Sequence, residues 1–383
     1  MEYNSTSECP DVFNYWAGLW ALSAAVGRKA WMRFRYGYVY TNLWIVLIGE
    51  AGTFKSTACI LATKMIEGIE HVKIGPNMTT IEALIKFMPL TEEAFVYKGE
   101  ELTHQSLAIT VPEWTTLTGE KELAKCNILC DLYDAGDRWK KWTVTQGCPD
   151  LKNILVTQLA GSTPEQITKC LPTSAIGTGF TSRHIFIGGD PKMAEEDLNF
   201  LAEPTNEWDE MGEKLKDDLF DISKKIVGRF RRSPEADTWL NKWYFKNKQG
   251  ESRIIDDVNF NGYYNRKPRF VLQIAMMLSA SRGNSMLVEM EDCKKALQLL
   301  DRAEFRMPEA FSGFGLNPVA PAVDAIQRVF RKYGTKEMKV IKISQSIWKQ
   351  VPEPQIKEAI KVMVKYGMAR LSEDRKSLVL GDK

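Results

Sequence analysis

The sequence predicts an α/β fold built on a parallel sheet, with a helical lid and a C-terminal winged-helix domain. Three observations carry this. Four short β-rich runs, Leu43 to Ile48, Ser106 to Val111, Asn153 to Gly161 and Arg183 to Gly188, alternate with helical patterns, as in parallel sheets. A glycine-bearing loop follows the first run directly. The final segment has the order helix, helix, helix, strand, strand.

Boundaries follow from composition shifts. Residues 1–40 read as an N-terminal helical segment packed on the core, 41–202 as the sheet domain, 203–315 as the helical lid and 316–383 as the winged helix. Phe13, Trp16, Leu19, Trp20, Leu22 and Ala24 recur at helical spacing, predicting one amphipathic helix from Asp11 to Arg35 in which Arg28 and Lys29 are a basic interruption. Met78 to Ile85 reads as a helix with a Thr N-cap. From Glu203 to Phe314 the signals are nearly all helical, and Gly313 to Pro318 is a linker. The last domain places helices at Val323–Tyr333, Ser344–Lys349 and Pro354–Tyr366, then strands at Met368–Leu371 and Ser377–Leu380.

With 44% hydrophobic and 26% charged residues the chain has the make-up of a soluble globular protein, not of a fibrous or disordered one. The net charge of +2 gives no overall basic field. From Pro318 onward, however, fourteen basic residues face seven acidic ones, so the basic excess sits at the C-terminus. Seven cysteines without a CxxC pair, and only three histidines, argue for reduced thiols and against structural zinc. The N-terminus lacks an export signal and no run of 18 apolar residues occurs, so a cytoplasmic protein without a membrane span is expected.

The chemistry begins at Gly49-Glu50-Ala51-Gly52-Thr53-Phe54-Lys55-Ser56-Thr57. Between a buried strand and a helix this reads as a phosphate loop. Gly49 and Gly52 let backbone N–H groups turn inward with Thr53 and Phe54, Lys55 reaches β and γ phosphates, and the Ser56 hydroxyl, ahead of Thr57, ligates Mg²⁺. Phe54 stands where the consensus has its second glycine. ATP and Mg²⁺ are the cofactors implied.

Glu113 follows the second strand, where a carboxylate orients attacking water, with Pro112 in the usual aspartate's place and Asp131 or Asp134 as substitutes for Mg²⁺ support. Thr163 ends the third strand, as a polar sensor or as the N-cap before Pro164, two compatible roles. The flexible turn Gly177 to Ser182 presents Arg183, either as a finger for a neighbouring subunit's phosphate or as a surface ion pair. Arg266 and Arg269, at the entry of an apolar helix, are candidates for a second phosphate sensor or simply solubilising charges.

Taken in order, Thr41-Asn42-Leu43-Trp44, the loop, Pro112-Glu113, Leu132-Tyr133-Asp134, Ser162-Thr163-Pro164-Glu165, the GFTSR segment at 179–183 and the helix from Lys267 to Ala280 resemble the ATPases of phages and mobile elements. That family is similar to the helicase halves of phage primase-helicases and, more distantly, to AAA+ helicases of the minichromosome-maintenance kind. The resemblance covers roughly residues 12–312. It implies an AAA+/RecA-like P-loop ATPase in which Lys55 and Ser56 bind nucleotide, Glu113 is the catalytic acid, Thr163 the sensor and Arg183 the finger of a ring, hexameric by analogy. Family members that resemble this sequence often lack the second loop glycine.

Arg138-Trp139-Lys140-Lys141-Trp142 reads as a hairpin whose lysines follow a phosphate backbone and whose tryptophans stack on bases in a ring's channel, or else as two core tryptophans with solvated lysines. Tyr97-Lys98 is a weaker second loop. In the last domain, Lys357, Lys361 and Lys365 lie four apart on one helix face suited to phosphates. The function expected is an ATP-dependent DNA helicase or translocase in replication of a phage or mobile element, with single-stranded DNA in the channel and a separate primase or other replication protein as a possible partner. A helicase loader, or a nucleotide-switched DNA-binding ATPase without unwinding, is the alternative.

Overall fold

The structure is a computed structural model and describes residues 8–76, 80–140, 150–172, 175, 179–190, 206–311, 319–372, 374 and 376–381. Helix α1 (Asp11–Val26) is buried on nearly all sides, with Phe13, Trp16, Leu19 and Trp20 inside. It stops at Gly27, whose φ of 58° belongs to the left-handed region that glycine enters freely. The chain then forms a hairpin, β1 (Ala30–Phe34) and β2 (Gly37–Tyr40), so the predicted helix to Arg35 is too long. Arg28 and Lys29 are not solvated. Arg28 donates to the carbonyls of Ala135 and Ile154, pairs with Asp137 and lies 4.2 Å from the Tyr40 ring centroid. Lys29 donates to the Ser223 carbonyl, and burial lowers its pKa to about 8.

Strand β3 (Trp44–Ile48) is buried throughout and leads through the loop into α2 (Lys55–Ile66). Helix α3 (Ile81–Phe87) starts at Thr80, whose hydroxyl accepts from the Ala83 N–H, while Met78 and Thr79 lie outside the described residues. Next come β4 (Glu92–Tyr97), β5 (Glu100–Val111), α4 (Thr115–Thr118), α5 (Leu123–Tyr133), β6 (Arg138–Lys140), β7 (Asp150–Lys152), β8 (Ile154–Ser162), α6 (Pro164–Cys170) and β9 (Ile185–Gly188).

The central sheet has the order β4-β5-β8-β3-β9. Four strands are parallel, and β4 alone is antiparallel, as a hairpin partner of β5. Register brings Ile48 beside Ser162 and Val111 beside Ala160, so β3, β8 and β5 end together at one edge. In a parallel sheet that carboxyl edge is where ligands bind.

Helices α7 (Asn206–Lys225), α8 (Pro234–Gln249), α9 (Asn261–Ser281) and α10 (Met290–Glu304) make up most of the following segment. Short strands interrupt it: β10 (Gly228–Arg229) joins β1, and β11 (Arg231–Arg232) pairs with β12 (Leu287–Val288). These ties help to make residues 1–310 one compact unit, in which the boundary drawn at 40/41 is not a break, while the one at 202/203 lies outside the described residues. Helix α9 runs through Pro268, which has no N–H for the Tyr264 carbonyl; the Asn247 amide donates to that carbonyl instead, at 3.2 Å.

Residues 311–383 form the second unit. Its elements are α11 (Ala320–Tyr333), β13 (Glu337–Lys339), α12 (Val340–Ile347), α13 (Glu353–Lys365), β14 (Ala369–Leu371) and β15 (Ser377–Leu380). The strands pair antiparallel in the order β13-β15-β14, and Ile326, Phe330, Ile343, Ile356, Met363 and Leu378 form the core. The predicted helices and the last two strands are present, with β13 as an addition. The linker at 313–318 is outside the described residues. Among the described residues no helix is long and apolar enough to cross a membrane.

Candidate phosphate-binding site

The loop after β3 is shaped by close backbone contacts. A Cβ on Gly49 would stand 2.5 Å from the Thr53 hydroxyl oxygen, and Gly52 has φ +86°. Phe54 also takes the left-handed conformation, at φ 56°. The conformation the loop requires before its lysine is therefore kept without a glycine, and a half-exposed ring costs little in packing. Helix α2 opens at Lys55 and is held to β5 by the Thr63 hydroxyl, 3.2 Å from that of Thr110.

Lys55 is folded onto its own loop, donating to the carbonyls of Gly49 and Glu50 at 2.8 Å each and to the Thr53 hydroxyl at 3.0 Å. Burial holds its pKa below the usual lysine range, while the carboxylates of Glu113 and then Glu50 pull it back up. All three partners are neutral acceptors that a phosphate anion would outcompete. Ser56 is exposed at the first turn of the helix.

Glu113 follows β5 and meets the same edge. The Trp114 N–H donates to the Gly161 carbonyl at 2.8 Å, and a Cβ on Gly161 would be 2.7 Å from the Pro112 carbonyl oxygen and 3.4 Å from Lys55 Cβ. Gly161 thus lets the tips of β5 and β8 and the root of Lys55 converge. Thr163 is the N-cap of α6: its hydroxyl accepts from the Gln166 N–H, and Gln166 Oε1 accepts from the Thr163 N–H, both at 3.2 Å. The remaining end of Gln166 donates to Glu113 Oε2 at 2.6 Å. The capping role and the edge position of Thr163 coexist. Gln166 and Gly161 were not singled out from sequence, although the Thr163-x-x-Gln166 spacing was a legible capping signal.

Arg183, Arg266 and Arg269 come together elsewhere. Arg183 precedes β9 and stands level with Leu43, six residues from Gly49 along parallel strands, or roughly 20 Å at ~3.3 Å per residue. It is buried, donates through Nε to Asp134 Oδ1 at 3.2 Å and pairs through its second nitrogen with Oδ2, so the expected flexible presentation is not what forms. Gly177 and Thr178 of that turn are outside the described residues. Arg266 and Arg269 lie inside α9, not at its entry, and with Arg183 they surround the Tyr133 ring at 5.9, 6.0 and 5.5 Å. This is the amino end of β3, which corrects the reading of Arg266 or Arg269 as a sensor of phosphate on the same chain. Asp134 is engaged by Arg183 and Asp131 accepts from the Trp139 indole, so neither is placed to support a cation at Ser56. Among the described residues no cluster of three His, Cys, Asp or Glu side chains forms a metal site.

The predicted hairpin exists at its base, where β6 pairs with β7. Asp150 holds Arg138 through two hydrogen bonds and lies 3.5 Å from Lys140. Lys141 and Trp142 fall outside the described residues. The Tyr97-Lys98 turn is not an open loop, because the Tyr97 ring packs edge-on to Trp31 at 5.1 Å and fills the space beside Gly228. On α13, Lys357 pairs with Glu353 and Lys361 with Glu358, neutralising two of the three lysines of that face.

No protein-family model matches the sequence, and no curated protein matches it.

Proposed function

We propose that this chain is a P-loop ATPase that moves on or unwinds DNA as a ring, in replication of a phage or mobile element. The observation that carries the reading is the convergence at one sheet edge of the 49–54 loop, Lys55, Glu113 and the Thr163 cap, on the tips of β3, β5 and β8. The residues fit ATP: a glycine-shaped loop that a Cβ would fill, a lysine held only by neutral oxygens, and helix α2 directed at the loop. Bound Mg²⁺ would neutralise phosphate charge, with Ser56 as its one protein ligand and water or phosphate oxygens completing the shell. Glu113 would then orient the attacking water, and Thr163 would contact the terminal phosphate.

The position of Arg183 supports a ring. Roughly 20 Å from its own loop by the ~3.3 Å strand rise, it could serve a phosphate only on a second copy of the chain. Arg266 and Arg269 lie beside it around the Tyr133 ring. The order of helices and strands in the second unit supports a winged helix, and its basic excess supports a nucleic-acid partner.

The test is ATP turnover with and without single-stranded DNA, together with light scattering of the eluting species. The reading requires turnover that Lys55→Ala abolishes and that DNA raises, and a multimer in ATP. A monomer under every condition would remove the ring.

A further inference from the structure

From Val319 onward the chain has four aromatic residues, and of these only Phe330 is in the core of the second unit. Tyr333, Trp348 and Tyr366 are 48%, 65% and 67% exposed. Each ring has a lysine ammonium close to its centroid: Lys342 at 4.7 Å from Tyr333, Lys349 at 5.7 Å from Trp348 and Lys365 at 5.7 Å from Tyr366.

Helix α12 and the residues flanking its end gather two of these pairs on one face. Ile343 and Ile347 point into the core, which turns Ile341, Gln345 and Trp348, spaced four and then three apart, outward. Lys342, Ser346 and Lys349 run beside them, and Lys342 extends the face to Tyr333 at the end of α11. Among the described residues neither Lys342 nor Lys349 is paired with a carboxylate, whereas Lys357 and Lys361 on α13 are.

We infer that the outer face of α12, with Tyr333, binds single-stranded nucleic acid: Tyr333 and Trp348 stack on bases while Lys342 and Lys349 take phosphates. Lys342, against Tyr333, and Trp348, at the end of α12, stand about 9 Å apart along the axis at ~1.5 Å per residue and about 120° apart around it at ~100° per residue, so the platforms suit bases splayed from one another. A duplex keeps its base faces stacked inside and would leave both rings without a partner. An acidic protein would satisfy the lysines but not the rings. The inference rests on the proposed action on DNA and adds the surface that contacts the open strand.

The experiment is anisotropy of fluorescein-labelled dT20 with the full chain, plus photocrosslinking to an oligonucleotide carrying 5-iodouracil, mapped by mass spectrometry. Expected are a crosslink at Trp348 or Tyr333 and about tenfold weaker dT20 binding by Trp348→Ala, largely recovered in Trp348→Phe. Lys342→Ala with Lys349→Ala should lower the salt slope by about 1.4, and Lys357→Ala with Lys361→Ala should leave it unchanged. Wild-type affinity in Trp348→Ala with crosslinks only at the 138–152 hairpin overturns the inference, but leaves the helicase reading intact. So does a duplex that binds more tightly than dT20 and depends on Lys357. Polyglutamate binding through Trp348 when dT20 does not bind would assign the face to an acidic protein. A wild-type chain that binds no nucleic acid at all overturns both readings.

Discussion

Gln166 Nε2 donates to Glu113 Oε2 at 2.6 Å, and the same side chain closes the capping box on Thr163. One residue therefore fixes the carboxylate that would orient water and the hydroxyl that would meet phosphate. Gln166→Leu should lower kcat about tenfold with little change in KM, because orientation is lost while binding groups remain. Gln166→Glu places a second carboxyl against Glu113, which raises the apparent carboxyl pKa of the pair. Its pH–rate profile should then be displaced toward higher pH relative to wild type. A pH–rate profile identical to wild type in Gln166→Glu would show the contact to be structural only.

Gly161 makes a sharper demand on the same edge. In Gly161→Ala the new Cβ would meet the Pro112 carbonyl oxygen, a backbone atom, at 2.7 Å, with Lys55 Cβ at 3.4 Å. The β5 tip must move, and Glu113 with it. We expect a stability loss of about 2 kcal/mol, in the range for overpacking, and a hundredfold or greater fall in turnover. Gly18→Ala, in mid-helix with nothing within 4 Å of the added atom, is the control: it should leave turnover unchanged and gain up to about 1 kcal/mol of stability. Urea unfolding alongside the ATPase rate decides the matter.

Much of this edge was legible because it is local. Strand, loop and helix around Lys55 follow one another in sequence, and the hydrophobic runs that mark β3, β5 and β8 are continuous since both faces are buried. What sequence could not show is how far residues lie apart across the sheet. Arg266 reads as a phosphate sensor until the register of β9 against β3 puts Arg183 and Tyr133 at the opposite end. Arg28 and Lys29 read only as a basic interruption of a helix, because nothing local reveals that Asp137, the Ile154 carbonyl and the Ser223 carbonyl will receive them. The α1 pattern ran past its end because Gly27 is a weak stop by composition and a firm one only at its observed φ of 58°.

Phe54 tests whether loop geometry or residue type matters. A left-handed conformation costs a non-glycine residue about 1 kcal/mol, and glycine would relieve this while adding a similar backbone entropy cost. Phe54→Gly should therefore unfold within about 1 kcal/mol of wild type and keep its nucleotide affinity. Phe54→Val, with a branched Cβ in the same conformation, should lose 1–2 kcal/mol more, about the strain of a disallowed backbone. Equal stability of the valine and glycine variants would mean that residue 54 does not hold this conformation in solution.

The distance between Arg183 and its own loop predicts complementation. Lys55→Ala and Arg183→Ala should each be nearly inactive alone. Mixed in equal amounts, about a quarter of interfaces in a cyclic assembly would pair an intact loop with an intact arginine, restoring turnover toward that fraction. Arg183→Ala leaves Asp134 partly exposed and still 3.7 Å from Arg266, so folding should survive. No recovery on mixing, in protein that still assembles, would rule out the shared site.

Stability toward acid should depend on two buried histidines. His184 donates from Nδ1 to the Phe180 carbonyl at 3.0 Å, and burial drives its pKa down to about 3. His104 has neither ring nitrogen hydrogen-bonded, and burial, reinforced by Lys29, takes it to about 4. The unfolded chain holds these groups near their ordinary value of ~6.5. As pH falls below that value the unfolded state takes up protons that the fold refuses, so stability is complete above it and declines until the folded values are reached. At pH 5 each group should have cost about 2 kcal/mol, at ~1.36 kcal/mol per unit. All three histidines of the chain lie in the first unit, so its unfolding should shift between pH 7 and 5 while that of the second unit should not. His104→Phe loses no hydrogen bond, so it should be at least as stable as wild type at pH 7 and should halve the pH dependence. Urea unfolding at the two pH values measures this, and an unchanged slope in His104→Phe would show that His104 takes up its proton in the folded protein.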